Sequence, residues 1–372
     1  MSRARNVADI IKQPFAVTLG TSNFRAGVNA GNSIASGGNY NVTVGDEAGT
    51  ALTTGDDNVA VGFEALSTED TGTRSVAVGY RALKVQNNDS TNYNVAIGYD
   101  AGLSITTGTQ NVLIGGKTGD ALTTGTDNVA IGRASLTSDD VGSKTVAVGM
   151  NTLAAQNYAT ATDSYNTAVG YSAGTSVTTA TNNTLIGALA GDALTTSSRN
   201  VAVGYEALST ATAFNENTAV GYRALKANTD GYSNTSVGVN SLLANTTGNS
   251  NTAIGHAAGT ANTEGLRNTA VGVESLDANT TGSDNTAIGK SALGANTTAS
   301  NNVAVGKSAL EANTTGYSNT AVGRGSLGLN TEGFSNTAVG KDALDSNTTG
   351  DHNTAVGMDC LQANTTAGDN TA

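Results

Sequence analysis

The sequence predicts an all-β fold, a parallel β-roll or β-solenoid of 17-residue coils that follows a short non-repeat N-terminal segment. The motif N-[TV]-A-[VI]-G recurs along the chain, and Gly occupies its fifth position every time, from Gly45 to Gly357. With 47 Gly, 1 Pro, no Trp and 4% aromatic residues, the chain has little material for a large mixed core. Apolar residues at fixed intervals nevertheless argue against disorder and favour an ordered repeat array. Taking the first motif residue as position 1, the coils begin at residues 41, 58, 75, 94, 111, 128, 145, 166, 183, 200, 217, 234, 251, 268, 285, 302, 319, 336 and 353.

Each coil is predicted to contain a strand, a bend, a second short strand around the A-L dipeptide, and a turn. The motif alternates with the period of two that a β-strand requires. The constant Gly indicates a backbone angle or a close approach that a side chain would forbid. Asn-Thr-Thr-Gly near the end of the coil has typical turn composition. One coil alone cannot bury its apolar face, so the coils must stack.

Stacking in register places equivalent residues in columns. Asn fills position 1 in nearly every coil, and a second Asn column at position 12 runs from Asn228 to Asn364. Amide side chains repeated every ~4.8 Å can bond one another, an explanation we prefer to glycosylation at the Asn-Thr-Thr sequons. At that rise the array would be roughly 90 Å long. The residues assigned to the ladder and the bend are Asn319, Gly323, Asn336, Gly340, Asn353 and Gly357.

The repeat region divides into two zones, 41–216 and 217–372. In the first, a four-coil unit of 70 to 72 residues recurs, and the coils that begin at Ser75 and Thr145 are lengthened at the same turn by the segments VQNNDSTNY and AQNYATATDSY. The second zone repeats a single coil. The difference predicts two zones of one shaft, unless it reflects duplication history alone.

Two further segments precede the repeats. Residues 23–40 align with the coil at Asn41 with an offset of 18, and they are interpreted as a degenerate capping coil with Arg25 at the position usually held by Ala. Residues 1–22 form a separate element, in which 6–12 favour a short helix that Pro14 would end. This start lacks the apolar run of a secretory signal. Because the sequence stops three residues into a twentieth coil, we expect the natural polypeptide to continue past Ala372.

Charge and composition exclude several partners. The net charge is −12, and since residues 1–22 contribute +2 (three basic residues, one acidic), the remainder carries −14 and has no basic stripe for nucleic acid. No segment is apolar enough to insert into a membrane. The single cysteine, Cys360, excludes an intramolecular disulfide and is predicted to be a small buried residue. No metal-ligand spacing is found, and no cofactor is expected.

The coil also predicts self-association. Its few apolar side chains would contribute on the order of 3 to 5 kcal/mol, less than the entropy cost of ordering 17 residues. A second apolar surface shared with sister chains would offset the deficit, and the nearly invariant Ala at position 3 is the predicted contact face. We therefore expect a homotrimer, for which Ala270→Arg is a test.

The repeat resembles two known families. N-[TV]-A-[VI]-G followed by a small residue and Leu is similar to the head repeat of trimeric autotransporter adhesins, a left-handed parallel β-roll built by three chains, although their period is shorter. NTAVGYRALKANTDG from Asn217 resembles repeats in phage tail fibres, and MSRARNVADI resembles the start of phage appendage proteins.

The second resemblance implies a structural virion protein, a phage tail fibre or appendage made in the host cytoplasm, with a rigid trimeric shaft and a distal region that binds a host-surface glycan or protein. It implies docking to a tail or baseplate protein through residues 1–22, with these candidates: Arg3, Arg5, Ile10, Ile11, Lys12 and Phe15. The alternatives are the passenger of a bacterial trimeric surface adhesin, or a self-contained β-solenoid that binds glycans or ice.

No residue pattern indicates an enzyme. Acidic residues recur at position 7 as a solvated face would, while His256 and His352 stand at variable positions without a nucleophile in the motif. The aromatic residues at position 6 leave two interpretations open, a glycan-binding stripe or surface packing beside the turn. The possible glycan-facing residues are Tyr80, Tyr99, Tyr171, Tyr205 and Tyr222.

Overall fold

A computed structural model describes residues 20–211 and 215–372, which form an all-β parallel solenoid of about 17 residues per coil, as predicted. The chain divides into two compact units, Met1–Asn166 and Thr167–Ala372. The strands of the first unit are β1 (Phe24–Ala26), β2 (Val42–Val44), β3 (Val59–Val61), β4 (Val76–Val78), β5 (Val95–Ile97), β6 (Val112–Ile114), β7 (Val129–Ile131), β8 (Gly142–Ser143), β9 (Val146–Val148) and β10 (Thr162–Asp163). Those of the second are β11 (Thr167–Val169), β12 (Thr184–Ile186), β13 (Val201–Val203), β14 (Thr218–Val220), β15 (Thr235–Val237), β16 (Thr252–Ile254), β17 (Thr269–Val271), β18 (Thr286–Ile288), β19 (Val303–Val305), β20 (Thr320–Val322), β21 (Thr337–Val339) and β22 (Thr354–Val356). No helix occurs among the described residues.

Each coil contributes one three-residue strand from positions 2 to 4, which pairs in parallel with the equivalent strand of the next coil. In the second unit β17 pairs with β18 in the register Thr269 to Thr286, so side chains of one kind stack on one another. In the first unit the main sheet contains β1 to β7 and β9, while β8 and β10 form a separate parallel pair that joins the second lengthened turn to the preceding coil. The parallel stacking inferred from the sequence is confirmed.

The predicted second strand of the coil is absent, and this part of the interpretation is wrong. Positions 7 and 9 adopt left-handed backbone angles, as in Glu274 (φ 54°) and Leu276 (φ 52°). An extended strand requires negative φ at successive residues, so two left-handed residues in three preclude it. The A-L dipeptide instead forms a tight corner that turns the Leu side chain into the interior, where Leu276 is 1% exposed.

The Gly at position 5 is required by its backbone. Gly323 has φ 139°, an angle that L-residues rarely adopt, and a Cβ there would overlap the carbonyl oxygen of Gly340 in the next coil. The same geometry recurs at Gly340 against Gly357. Close backbone approach between coils therefore explains why this position never varies.

The Ala at position 3 points into the interior of its own coil. Ala270 is 2% exposed and Ala287 is fully buried in the single chain. The prediction that this column is the contact face between chains is therefore wrong. Because side chains alternate along a strand, positions 2 and 4 point outward instead, and their half-exposed side chains flank a buried residue at position 3, as in β17 and β18.

The interior accommodates its large aliphatic side chain at either of two positions. Coils with Leu at position 9 carry a polar or small residue at position 12, as in Leu66 with Glu69. Most coils with Gly at position 9 carry Leu, Ile or Val at position 12, as in Gly119 with Leu122. The coil at Asn251 has neither, since it combines Gly259 with Asn262.

The Asn columns are buried and hydrogen-bonded, in two different ways. At position 1, the backbone N–H of Asn319 donates to Oδ1 of Asn302 (2.9 Å), and its Nδ2 donates to the carbonyl of Gly333 in its own coil (2.8 Å). Asn336 and Asn353 repeat this arrangement. At position 12 the side chains bond each other directly, for example from Asn279 Nδ2 to Asn262 Oδ1 (2.8 Å), in a ladder that reaches Asn364. The amide ladder is thus confirmed for position 12, whereas position 1 mainly links side chain to backbone.

The degenerate first coil stacks as predicted. Phe24 pairs with Val42, which is the offset of 18 inferred from the sequence. Each lengthened turn also pairs with the preceding coil, through a bridge between Thr73 and Thr91 in the first case and through the β8–β10 pair in the second. The expected N-terminal helix and all six docking candidates lie outside the described residues.

Candidate functional surfaces

The outer face of the sheet is apolar and unpartnered in the single chain. In the first unit, β2 to β7 and β9 present Val at position 2 and Val or Ile at position 4, which gives two adjacent aliphatic columns. In the second unit Thr replaces Val at position 2 in all but two coils, while position 4 remains Val or Ile. Ile97 and Ile288 are 38% and 40% exposed. Within each unit, an exposed aliphatic column of this kind is a typical interaction face.

The aromatic residues at position 6 of the first unit stack on one another. Ring centroids lie 5.5 Å apart between Phe63 and Tyr80, and 5.2 Å apart between Tyr80 and Tyr99, with nearly parallel planes. The guanidinium of Arg81 also lies over the Tyr80 ring, 5.3 Å from its centroid. Both faces of Tyr80 are therefore covered, and within this ladder only a terminal ring has a free face.

The second unit has shorter ladders. Tyr205 stacks on Tyr222 at position 6 (5.6 Å), and Tyr317 stacks on Phe334 at position 16 (4.9 Å). Tyr171 lies at position 6 of a coil whose next neighbour in that column is Ala188, and it is 51% exposed. Surface packing thus accounts for Tyr205 and Tyr222, whereas Tyr171 has a more open environment.

Charged residues at position 7 pair between neighbouring coils. Arg81 donates to both carboxylate oxygens of Asp100 (2.9 and 3.2 Å), and Glu206 accepts from Arg223 and Lys226. The ammonium group of Lys226 is the main reason that the pKa of Glu206 lies below its ordinary value. This pairing suits a solvated surface and provides no acid–base pair poised for catalysis.

Two buried carboxylates were missed by the sequence analysis. Glu69 and Asp139 occupy position 12 of equivalent coils in the four-coil unit, and both are fully buried. Glu69 accepts from the amide nitrogens of Gln86 (2.9 Å) and Asn92 (3.0 Å) and from the N–H of Gly72 (2.8 Å). Burial raises the pKa of Glu69, and burial likewise raises that of Asp139. Their signal in the sequence was an acid at a position that otherwise carries an amide, an aliphatic or a small residue.

Each buried acid organises a lengthened turn. Gln86 bridges Glu69 to Ser75 (2.7 Å), and its carbonyl oxygen accepts from Asn94 (2.8 Å). An equivalent network links Asp139, Gln156 and Thr145 in the second turn. Since Ser75 and Thr145 are the two exceptions to Asn at position 1, these networks replace the missing amides. Their contacts support the fold and contain no reactive arrangement.

The two histidines and the cysteine considered in the sequence analysis have three different surroundings. His256 is exposed, and His352 packs edge-on against Phe334. Cys360 is half-buried, not buried as predicted, because its coil has a stacked neighbour on one side only. Within the described ranges no three His, Cys, Asp or Glu side chains converge as metal ligands, and no helix of that part is long and apolar enough to cross a bilayer.

Comparison with known proteins yields no relationship by sequence. No protein-family model matches the chain, and no curated protein matches it.

Proposed function

We propose that this chain is a structural, non-enzymatic protein, the shaft of a homotrimeric phage tail fibre or virion appendage that presents a host-attachment region. Residues 1–22 would dock on a tail or baseplate protein. The proposal rests on the resemblance of the repeat and on one structural observation, the aliphatic outer face of the sheet. A repetitive solenoid with an unpartnered apolar face suits assembly from several copies.

The face at positions 2 and 4 replaces the Ala column as the proposed contact between chains. In the first unit it offers two aliphatic columns, so burial against sister chains would remove further apolar surface from water beyond what the coil interior buries. In the second unit, Thr at position 2 has nearly the same shape as Val but makes the face less hydrophobic. The first unit is therefore the stronger part of the proposed interface.

The decisive experiment measures the mass of the purified chain by light scattering and the particle shape by electron microscopy. Three times 36.9 kDa in a thin rod is the expected result. A monomer at micromolar concentration would overturn the proposed trimer and would favour the alternative, a self-contained solenoid.

A pair of variants tests the face itself. Ile97→Arg and Ile288→Arg place charges on it and are expected to dissociate the oligomer. Thr281→Arg, at an exposed turn position, should leave the mass unchanged. If the Ile variants remain trimeric while melting normally, another surface joins the chains.

Docking is tested by deleting residues 1–22. The truncated chain should form the same oligomer yet fail to be incorporated into virions, and its normal incorporation would exclude this segment as the anchor.

A further inference from the structure

The aromatic ladder of the first unit ends at a glycine. Along position 6 the residues run Phe63, Tyr80, Tyr99, Gly116 and Arg133. Gly116 has no side chain to cover the outer face of Tyr99, and Tyr99 is 53% exposed whereas Tyr80, covered on both sides, is 41% exposed. The ladder therefore stops at an open ring.

The space above Gly116 is open. A Cβ built on this residue would find only the carbonyl oxygen of Tyr99, at 4.0 Å, within contact range. The absence of a positive-φ requirement at Gly116 shows that its backbone would accept a side chain. The gap spans two coil spacings from Tyr99 to Arg133, about 10 Å, which leaves room for one ring between them.

Positions 6 and 7 around the gap are basic, although the chain is acidic. Arg81, Asp100, Lys117 and Arg133 occupy positions 6 and 7 of four successive coils and sum to +2, against a net charge of −12 for the chain. Asp100 is held by Arg81. Lys117 and Arg133 are exposed and form no ion pair with other described residues, and the only side-chain hydrogen bond of Arg133 is a 3.7 Å contact with Met150 Sδ.

We propose that the gap at Gly116 is a binding site for a pyranose sugar that carries a carboxylate. The apolar face of the sugar ring stacks on Tyr99, as a further rung of the ladder, and the carboxylate is bound by Lys117 and Arg133. A pyranose chair is thicker than a planar aromatic ring and fills the two-coil spacing better. This inference deepens the proposed host attachment and rests on it for its biological meaning.

The test uses the full chain with methyl β-D-glucuronide as the probe and methyl β-D-glucoside as its neutral counterpart. Binding is titrated by saturation-transfer NMR. We expect a Kd on the order of 1 mM for the glucuronide, as for a single exposed ring contact, and binding of the glucoside at least threefold weaker. No saturable binding of the glucuronide, or equal binding of both sugars, would overturn the assignment.

Three variants locate the site. Gly116→Tyr continues the ladder with the residue that other coils carry, so it should keep the melting temperature and weaken glucuronide binding at least tenfold. Lys117→Gln should reduce the preference for the glucuronide over the glucoside. Tyr222→Ala removes a ring from the other unit and should leave the affinities for the glucuronide and the glucoside unchanged. If Gly116→Tyr binds like the wild type, the sugar does not occupy the gap.

These outcomes are separable from those of the proposed function. A trimeric rod that fails to bind the glucuronide overturns the sugar site alone, and a monomer that binds it overturns the trimer alone.

Discussion

A Cβ placed on Gly119 would lie 2.9 Å from Cδ1 of Leu122 and equally close to Leu113. Position 9 and position 12 thus compete for one interior volume, which explains why a coil with Leu at one of them carries Gly or a polar or small residue at the other. Close packing of the interior makes both overfilling and underfilling costly.

The underfilled coil at Asn251 can be stabilised. Gly259 has φ 59°, close to the 45° and 52° of the Leu residues that occupy this position in the coils before and after it. The tightest contact of a Cβ there would be with the flexible end of Leu242, at 3.1 Å, followed by an ordinary contact with the Cβ of Ala253 at 3.8 Å. We expect Gly259→Leu to raise the free energy of unfolding by about 1 to 2 kcal/mol, the gain from burying a Leu less its backbone strain, as measured by chemical denaturation.

The matched control is Gly119→Leu, the same substitution in a filled coil. It should lower the free energy of unfolding by about 2 kcal/mol or more, because the new side chain collides with Leu113 and Leu122. Equal effects of the two substitutions would contradict the shared-volume model.

Two glycines, one at position 5 and one at position 15, should respond differently to the addition of one methyl group. At Gly323, Ala must adopt φ near 139° against the Gly340 carbonyl, so we expect Gly323→Ala to cost more than about 3 kcal/mol. A Cβ on Gly316 would also approach a carbonyl, that of Gly333, but buried Ala299 at the equivalent position shows that the coil spacing can adjust to it. Gly316→Ala should therefore cost less than about 1 kcal/mol. Thermal melts of both variants measure this, and a mild Gly323→Ala variant would show that the backbone there can relax.

The position 1 column should be sensitive to loss of a single amide. In Asn302→Ala, the buried N–H of Asn319 loses its acceptor, while the carbonyl of Gly316 loses one of two donors and keeps Nδ2 of Asn313 (2.8 Å). We expect a loss of about 1 to 3 kcal/mol in unfolding free energy. Thr298→Ala, at an exposed turn position, is the control and should change stability by less than about 0.5 kcal/mol.

The buried acid Glu69 should make stability depend on pH. Because burial raises its pKa in the folded state, the folded chain holds more protons than the unfolded chain at pH values between the ordinary and the raised pKa. The stability contributed by Glu69 therefore falls as the pH rises through that window. Chemical denaturation of the wild type and of Glu69→Gln should be measured across this range. The free energy of unfolding of the wild type should fall relative to that of the variant as the pH rises.

The variant itself should fold. The Oδ1 of Asn92 is buried without a hydrogen-bond partner, and a turn of that amide would let this oxygen accept from the amide nitrogen that the Glu69→Gln substitution introduces. In the second turn, Asp139→Asn should likewise gain stability relative to the wild type as the pH rises. If the free energy of unfolding followed parallel pH profiles in the wild type and both variants, titration of these acids would be excluded.

The sequence predicted much of this fold because the repeat shows directly which residues of successive coils are equivalent. Gly45 to Gly357 defined the coil, and the alignment of Phe24 with Val42 followed from the offset alone. Alternation could not decide which side of the strand faces inward, because Ala270 and its neighbour Val271 are both apolar. The left-handed φ at Leu276 was equally hidden, since Leu rarely adopts it and only the packing of adjacent coils enforces it.

The candidate surfaces were less predictable. Tyr80 and Tyr99 were recognised, but their mutual stacking depends on ring orientation. Glu69 was overlooked because an isolated acid in a polar turn does not reveal its burial. The pairing of Gly49 with Leu52 was visible in the sequence and would have indicated the shared interior volume.

The one-coil register also bears on how such a chain can change over evolutionary time. In the second unit β17 contacts only β16 and β18, through the same three-residue ladder on either side. Loss of residues 268–284 would bring Asn285 beside Asn251, a junction of the kind already present throughout. Recombination between repeated gene segments can therefore shorten or lengthen this unit in steps of about 4.8 Å without inventing a new interface.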